Sequence, residues 1–505
     1  MKRLLLFICL TASFITGCDK GFENVNINPI QATSLDPAYL LTNAQFGAML
    51  YTLQYQDPII QQMNTPFGSS LEGGQHNIWF EPGDAQSVFT DIYTNCIKLL
   101  TDVISRTQGD PEKSNLYNMA RIWKAYCFQV LVDTYGDVPY SDAGQAFLNG
   151  TYLPAYDPAE VIYDDLLLQL SEATVALDAS KPLEPNDLFY HGNIDQWKKL
   201  GNSILLRVAM RLTKVDAAKA QQYASAAISG GLMTSNADNA MLTLDIAYPN
   251  VHGNSFNGTE RANYYIGEPF IDFLKNTNDP RLEVIAVKYE FPANDLATAG
   301  TIDTDPANQI GMPFGYNDAT ISTAPNYPGK SGAAWNYSQV NRQTLGKFDG
   351  PYFFVTYSQT TLLHAEAVQR GWAEGSVSDL YNTGVKAHMD QMALYDPSAT
   401  IAPADQDAYL IANPFVPANA LEQINTQYWV SCFLNGQEGW SNFRRSGFPQ
   451  LEPNPFPGAD PIIAGDFIHR LQIQSSERAV NTSNYQAAVS RQGADNFATR
   501  IFWDK

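Results

Sequence analysis

The chain has 505 residues, of which 45% are hydrophobic and only 16% are charged, a composition that supports a large folded core and excludes a disordered protein. Lysine and arginine together number 31 against 52 aspartates and glutamates, which gives a formal net charge of -21. Because no long basic run offsets this charge, nucleic acid and anionic membrane surfaces are poor candidate partners.

The chain begins with an export signal. Residues 1–17, MKRLLLFICLTASFITG, contain two cations, a short apolar run and then small residues, and such a run is too short to span a membrane as a mature helix. The next residue completes the sequence ITGC, which resembles the lipobox of bacterial lipoproteins, whose cysteine is acylated and becomes the new N-terminus. We therefore predict lipidation at Cys18 and contact with a membrane only through this anchor. The alternative is an ordinary signal peptide followed by an incidental cysteine.

Helical periodicity dominates the rest of the chain, with apolar residues recurring at steps of three and four. The amphipathic stripes lie at 37–55, 85–106, 114–134, 158–177, 193–212, 216–229, 357–371, 376–393 and 418–434. They predict a mainly α-helical protein with a single domain over residues 18–505. Because Cys96, Cys127 and Cys432 lie within these stripes, we expect buried thiols rather than a disulfide framework.

One stripe carries a repeat signature. Residues 197–201, WKKLG, match the W-x2-L-G opening of a tetratricopeptide helix, with Ile204 where the consensus has tyrosine. Small residues at Ala220, Ala224 and Ala227 would let a second helix pack closely against the first, although that helix starts late for the consensus. We therefore predict tetratricopeptide-like helical hairpins as the framework of the domain.

Two segments interrupt the helical pattern. They span about 64–84, which reads NTPFGSSLEGGQHNIWFEPGD, and about 237–356, where glycine, proline, asparagine and tyrosine are frequent. Long irregular segments are uncommon in compact domains unless they have a function. We predict that both are loop-rich insertions and that together they form an irregular ligand-binding region packed on the hairpins.

The second segment contains GKS at 329–331, which is the end of a phosphate-binding P-loop pattern. That pattern requires a glycine where this chain has Ala324, and two prolines in the loop remove backbone amides that would bind phosphate. No apolar strand precedes the loop. We predict a turn-rich surface loop rather than a nucleotide site.

Several short motifs follow one another along nearly the whole mature chain. They are YGDVPYSDA at 135–143, NDPRL at 278–282, LLHAEA at 362–367 followed by RG at 370–371, INTQYW at 424–429, FRRSGFP at 443–449 and the closing segment 481–503. Together with the lipobox-like sequence, these motifs resemble the SusD/RagB family of nutrient-binding outer-membrane lipoproteins. The C-terminal motifs resemble its SusD-like subgroup.

The resemblance implies a lipoprotein of the Bacteroidetes type, anchored in the outer membrane and facing the cell exterior. It implies a lid-like role on a SusC-like, TonB-dependent barrel transporter in polysaccharide utilization. Family members capture oligosaccharides, or in some cases peptides, for import, and none is catalytic. We therefore expect oligosaccharide capture, with peptide capture as the alternative ligand class. A scaffold or lid that binds no nutrient is a further alternative.

No catalytic or metal-binding pattern stands out in the sequence. None of the six histidines forms an H-E-x-x-H pair, and paired carboxylates of the glycosidase type cannot be recognised without geometry. The sequence DTD at 303–305 resembles the start of a calcium loop but lacks the later EF-hand ligands. We expect no enzyme activity and no cofactor, with bound calcium as an open alternative for which no ligands are assigned.

Aromatic residues in the two loop-rich segments are better candidates for a binding site. An indole or phenol ring can stack on the C–H face of a sugar while nearby amide groups bind its hydroxyls. The predicted ligand-binding residues are Asn77 and Trp79 in the first segment, and Tyr264, Tyr265, Tyr316, Tyr327 and Trp335 in the second. Trp79 and Trp335 rank highest, and core packing is the alternative for each ring.

Two polar features are expected to be structural. Glu366 lies on an otherwise apolar helix face, where an unpaired carboxylate would be costly. We expect it to be buried with Arg444 or Arg445 as its partner, although these arginines could instead bind carbonyl groups at helix ends. The motif YGDVPYSDA is expected to stop a helix near Thr134 and to form a fixed turn.

Overall fold

The fold is seen in a computed structural model of the chain, which describes residues 35–64, 66, 72–75, 87–259, 261–458, 462–463 and 465–505. Helices make up most of its regular structure, as predicted, and the strands are short. None of the helices in these ranges is long and apolar enough to cross a membrane.

The helices are numbered in chain order. Up to residue 230 they are α1 (Pro37–Phe46), α2 (Gln56–Ile59), α3 (Glu72–Gln75), α4 (Ser87–Ile92), α5 (Lys98–Thr107), α6 (Ser114–Tyr135), α7 (Ala146–Asn149), α8 (Ala159–Ala176), α9 (Ile194–Arg211) and α10 (Ala217–Gly230). After residue 250 they are α11 (Val251–Asn257), α12 (Glu268–Asn276), α13 (Arg281–Ile285), α14 (Tyr357–Gln369), α15 (Val377–Tyr395), α16 (Pro403–Ala412), α17 (Ala420–Ser431), α18 (Gly436–Ser446), α19 (Ser475–Val480) and α20 (Thr482–Gln492). A π-helical turn, Tyr93–Ile97, joins α4 to α5.

The strands form small antiparallel pairs. They are β1 (Met63–Asn64), β2 (Val138–Pro139), β3 (Tyr156–Asp157), β4 (Ala240–Leu242), β5 (Tyr265–Ile266), β6 (Ala286–Tyr289), β7 (Ile302–Asp303), β8 (Lys330–Ser331), β9 (Ala334–Trp335), β10 (Gln339–Val340) and β11 (Tyr352–Val355). β1 pairs with β5, β2 with β3, β4 with β11 and β8 with β9, while β6 lies between β7 and β10. The sheets therefore belong mainly to the second loop-rich segment.

The predicted tetratricopeptide-like packing is present in α8, α9 and α10, which pack side by side. Ala220, Ala224 and Ala227 are fully buried on α10. Gly201 of α9 lies so close to α8 that a Cβ atom added there would be 2.1 Å from the hydroxyl oxygen of Thr174. Small residues therefore permit the close approach of these helices, as the repeat signature predicts.

Glu366 on α14 is buried and paired, as predicted. Arg445 on α18 donates hydrogen bonds of 2.7 Å to both of its carboxylate oxygens, and Arg370 and Asn425 donate to the same group. Burial alone would raise the pKa of Glu366, but the neighbouring guanidinium groups outweigh it and lower the pKa to about 2. Because Asn425 belongs to α17, this cluster ties α14, α17 and α18 together.

Arg444 takes the other predicted role. Its guanidinium group donates hydrogen bonds of 2.6 Å to the carbonyl oxygens of Asp133, near the end of α6, and of His469. Close by, Arg211 on α9 forms ion pairs with the carboxylates of Glu438 and Asp133. Buried charges thus connect α6, α9 and α18 across the core.

Two further predictions are confirmed. Cys96, Cys127 and Cys432 are buried free thiols. The YGDVPYSDA segment is a structural turn, because α6 ends before Gly136, whose φ of 78° suits glycine, and because Asp137 accepts a hydrogen bond from the first amide of α8.

The structure also differs from the sequence prediction. The first stripe was predicted to extend to residue 55, but α1 ends at Phe46. The periodicity missed α18, because its buried residues include polar and charged side chains that pair with other helices. The segment 237–356 is less irregular than predicted, since it contains α11 to α13 and the strands β4 to β11.

Candidate functional site

The second loop-rich segment has a hydrophobic core of its own. We call its rings the aromatic cluster: Tyr265, Trp335 and Tyr337 are buried, and Tyr316 and Tyr327 pack against them with part of their surface exposed. The Tyr265 ring meets those of Trp335 and Tyr337 edge to face, at centroid distances of 6.0 and 6.4 Å. Tyr327 lies 6.4 Å from Tyr337. Ring packing therefore forms the centre of this region.

Backbone hydrogen bonds hold these rings in place. β8 and β9 form a hairpin whose turn contains Gly332 with φ 62°, a conformation that glycine adopts readily. The backbone amide of Trp335 donates a 3.0 Å hydrogen bond to the hydroxyl oxygen of Tyr265. Tyr265 belongs to β5, which pairs with β1, so the cluster is attached to the strand that begins the first loop-rich segment.

A polar cleft of about 480 Å³ adjoins the hairpin, and we call it the hairpin cleft. Its polar side chains include Lys288, Glu290, Asp303, Lys330, Ser331 and Asn336. The Ser331 hydroxyl donates a 2.7 Å hydrogen bond to the backbone oxygen of Glu290. A hydrogen bond from the Thr301 amide lowers the pKa of the Glu290 carboxyl group, which therefore stays ionised. The lining combines two cations, two carboxylates and neutral groups, so it presents several types of hydrogen-bonding partner.

Lys330 connects the cluster to the hairpin cleft. Its ammonium nitrogen lies 4.4 Å from the centroid of the Trp335 ring, within the range of a cation–π interaction. The GKS sequence forms strand β8 and its approach, and β9 rather than a helix follows the turn. The predicted surface loop is thus present, and the helix that a P-loop would require after GKS is replaced by a strand.

Three of the predicted ligand-binding residues are packed inside the protein. Tyr264 is 5% exposed, and both Tyr265 and Trp335 are 0% exposed. Tyr264 forms a hydrogen bond between its hydroxyl and that of Tyr51, and its ring packs on Phe256. These rings take the core-packing role that was the alternative: Tyr265 and Trp335 belong to the segment's own core, and Tyr264 belongs to the main core of the protein. The structure does not place them as exposed stacking surfaces.

The other predicted residues divide into two groups. Tyr316 and Tyr327 are half-buried and keep part of their surface accessible at the edge of the aromatic cluster. Asn77 and Trp79 lie outside the described residues, as does Cys18. Ligand binding by Asn77 and Trp79 and lipidation of Cys18 therefore stay predictions.

Sequence reasoning missed Tyr337 and the hairpin cleft. Tyr337 is two residues after Trp335, in the short connection between β9 and β10. This closeness in the sequence is the one signal that could have linked the two rings. The cleft was harder to find, because Lys288, Glu290 and Asp303 come together only through the pairing of β6 with β7.

No group of three or more metal-binding side chains lies close together in the part of the chain that the structure describes. The carboxylate of Asp303, which belongs to the calcium-loop-like sequence, accepts hydrogen bonds from the backbone amide of Asp305 and from the side chain of Asn308. These protein donors account for the turn. Calcium binding stays a prediction without assigned ligands.

The protein combines a framework of helical hairpins with long loops that carry an aromatic cluster and a polar cleft. These features place it in the class of helical binding proteins. Residues 29–463 match the model of the SusD-like family, which is described as starch-binding and associating with the outer membrane. Because the match covers most of the 505 residues, the chain belongs to the SusD-like family. A comparison with curated proteins finds no match.

Solved structures agree with this assignment. A chitin-binding protein is 30% identical to this chain and superposes with a TM-score of 0.79, covering 93% of this chain and 100% of that one. A structure described as Bacteroidetes AC2a SusD-like is 26% identical, with a TM-score of 0.81 and the same coverage. A chitin-binding SusD homologue from Flavobacterium johnsoniae is 22% identical, with a TM-score of 0.72 over 93% of this chain and 98% of that one, and supports the fold.

Proposed function

We propose that this protein captures oligosaccharides at the outer membrane and passes them to a TonB-dependent transporter. Its membership in the SusD-like family, described as starch-binding and associated with the outer membrane, is the observation that carries this proposal. The chitin-binding relative at 30% identity makes chito-oligosaccharides the first ligands to test. Capture and release require no bond to be broken, so the proposed role is not catalytic.

The ligand is proposed to bind where the aromatic cluster meets the hairpin cleft. The half-buried rings of Tyr316 and Tyr327 offer surface for the C–H face of a sugar. Asn336 lines the cleft and can bind hydroxyl groups, and Asn77 and Trp79 remain predicted contributors. A few such contacts suit an affinity of about 1 μM, roughly -8 kcal/mol, which still allows release to a transporter.

Peptide capture is less well supported by the cleft. A site for cationic peptides is expected to be acidic, with few exposed aromatic rings. In the hairpin cleft, Lys288 and Lys330 balance the charges of Glu290 and Asp303. This balance favours a neutral, hydroxyl-rich ligand.

The proposed anchor is an acyl group on Cys18, with the protein facing the cell exterior and a SusC-like barrel as its partner. The lipobox-like sequence and the outer-membrane association of the family support this arrangement. Cys18→Ser should release the exported protein from the outer-membrane fraction. Affinity purification of the native protein should recover a large barrel transporter. The arrangement would be contradicted if no barrel is recovered and the protein is not bound to the membrane.

Calorimetry on residues 19–505 tests ligand capture directly. Chitotetraose, maltotetraose, cellotetraose and xylotetraose would be titrated separately, and at least one should bind with roughly micromolar affinity. If none binds, oligosaccharide capture is wrong. Chromatography of the same mixtures after long incubation should show intact tetrasaccharides, and shorter products would contradict a non-catalytic role.

A further inference from the structure

A second cleft lies in the helical part of the protein and shares no residue with the hairpin cleft or the aromatic cluster. Its volume is about 430 Å³. It forms where three segments meet: the α4–π–α5 helix, the loop that follows β2, and the start of α19. We call it the helical cleft. The side chains that matter most are Phe89, Tyr93, Lys98, Phe147, Tyr152 and Glu477.

Large apolar side chains are exposed on one wall of this cleft. Tyr152 is 77% exposed and Phe147 is 52% exposed, and their neighbours Leu148 and Leu153 are exposed as well. Four large hydrophobic groups thus lie uncovered within 147–153. A local concentration of exposed apolar surface typically marks a site of interaction.

The opposite wall contains an unusual helical turn. Within the π-helical turn, the backbone amide of Lys98 donates to the carbonyl oxygen of Tyr93, five residues earlier. This spacing brings Tyr93 and Lys98 to the same cleft. The Tyr93 ring packs 4.6 Å from Phe89, and its hydroxyl donates a 2.5 Å hydrogen bond to the carbonyl oxygen of Pro139. Single π-turns are rare in proteins, and those that occur are often found at functional sites.

The cleft also carries fixed polar groups. Glu477 Oε2 accepts hydrogen bonds of 3.0 Å from the Tyr156 hydroxyl and from the Asn481 side chain, so this carboxylate is held at the wall. Lys98 supplies an exposed cation. Neutral donors and acceptors come from Thr90, Thr94, Thr151 and Gln474. One positive charge and one negative charge leave the lining neutral overall.

We propose that the helical cleft is a second saccharide-binding site, which takes one or two rings of a neutral oligosaccharide. Exposed aromatic faces suit the C–H surfaces of sugar rings, and the hydroxyl, amide and charged groups suit their hydroxyls. The volume lies within the range of about 300–1,000 Å³ that is typical of small-molecule sites. A purely apolar peptide would cover the exposed ammonium group of Lys98 without offering it a partner, which is unfavourable. A long glycan held at both clefts would gain avidity from the second contact.

Fluorine NMR of protein labelled with 3-fluorotyrosine tests this site separately from the proposed loop site. Tyr152→Phe, Tyr316→Phe and Tyr327→Phe assign the three resonances. Chitotetraose, maltotetraose, cellotetraose and xylotetraose would be titrated in turn. We expect the Tyr152 resonance to shift saturably with at least one of them. Because Tyr316 and Tyr327 report on the loop site, either site can fail while the other is observed.

Variants then test the chemistry of the helical cleft. In the double variant, Lys98→Ala with Glu477→Gln, the saccharide concentration that half-saturates the Tyr152 signal should rise by more than about tenfold. The Tyr316 titration should stay unchanged. Since Glu477 also holds two neighbours, Phe147→Ala serves as a second variant that alters only an exposed side chain. Tyr248→Ala, another exposed tyrosine outside both clefts, is the matched control and should change neither titration.

Three results would overturn the proposal. The Tyr152 resonance could remain unmoved by all four saccharides at millimolar concentration. Its titration could be unaffected by both the double variant and Phe147→Ala. It could also respond to an apolar tripeptide with blocked ends and to none of the saccharides, which would identify a peptide-docking surface instead.

Discussion

The helical body and the second loop-rich segment both bury large side chains, but they stabilise them with different chemistry. In the body, the guanidinium group of Arg445 and the carboxylate of Glu366 are almost completely enclosed between helices. In the loop-rich segment, aromatic rings pack on one another, and the ammonium group of Lys330 lies at the surface over Trp335. The buried charges therefore secure the arrangement of helices, whereas the loop-rich segment keeps rings and polar groups near solvent, where a ligand can reach them.

The largest expected effect comes from breaking a buried ion pair in the body. Arg445→Ala leaves the Glu366 carboxylate in the core without its bidentate partner, so the free energy of unfolding should fall by about 3–5 kcal/mol. Urea denaturation followed by circular dichroism measures this change. The exposed pair of Arg500 with Asp504 provides the matched control, and Arg500→Ala should cost about 1 kcal/mol or less.

A double variant sharpens the same point. Replacing both partners, Glu366→Leu with Arg445→Met, removes the buried carboxylate that Arg445→Ala leaves with only Arg370 and Asn425 as partners. It should therefore be less destabilised than the single variant, because burial of apolar side chains in place of an ion pair is often nearly neutral. Equal destabilisation of the two proteins would show that shape, rather than charge pairing, dominates at this site.

Asp57 gives the second-largest effect and depends on pH. It is completely buried in α2, beside the Thr52 hydroxyl and the Gly436 amide rather than a cation, and burial raises its pKa from 3.8 to about 7. Between these values the folded carboxyl group keeps a proton that the unfolded chain releases, so the free energy of unfolding falls as the pH rises. From about pH 5 to about pH 8, this group should cost the wild type about 2–3 kcal/mol of stability.

Asp57→Asn cannot ionise and should lack this dependence. Urea denaturation of both proteins at about pH 5 and about pH 8 measures the difference, with the exposed Asp142→Asn as the control. Glu366 behaves in the opposite way, because its pKa is lowered from 4.5 to about 2. Its contribution to stability is therefore lost only as the pH falls below about 4.5. A parallel pH profile for Asp57→Asn and the wild type would contradict the role given to Asp57.

The helical body could be predicted well because its helices bury apolar stripes. The stripe at 114–134 corresponds to Ser114–Tyr135, and the stripe at 158–177 corresponds to Ala159–Ala176. The α18 helix was hidden, because Glu438 and Arg445 are buried there and their partners lie on distant helices. A hydropathy pattern cannot reveal such a helix face, because its charged side chains can be buried only when they pair with residues that are far away in the sequence.

The candidate site was less predictable, because exposure depends on tertiary packing. Among the predicted ligand-binding residues that the structure describes, Trp335 ranked highest, yet it is buried within the core of its own segment. Tyr327, eight residues earlier, keeps part of its surface exposed. The helical cleft could not be predicted either, because its walls come from three segments far apart in the chain.

In the loop-rich segment we expect substitutions to affect binding more than folding. Tyr327→Ala and Tyr316→Ala remove half-buried rings at the edge of the aromatic cluster, and each should weaken oligosaccharide binding by about 1–2 kcal/mol if the ring stacks on the ligand. Calorimetry with the best-bound tetrasaccharide measures the affinity, and thermal denaturation measures stability. Tyr248→Ala is the control. Unchanged affinity in both variants would move the binding surface away from the aromatic cluster.

Lys330→Ala should have the smallest effect of these variants. It tests whether Trp335 only supports the aromatic cluster or contacts the ligand directly. The ammonium group covers one face of the buried indole, and loss of an exposed cation–π contact should cost about 0.5–1 kcal/mol of stability. If Trp335 only supports the cluster, the affinity for oligosaccharide should change by less than about twofold, or roughly 0.4 kcal/mol. If the ligand instead competes with Lys330 for the indole face, the variant should bind more tightly, and Trp335 would return as a direct contact. Calorimetry on the wild type and Lys330→Ala under identical conditions decides between these outcomes.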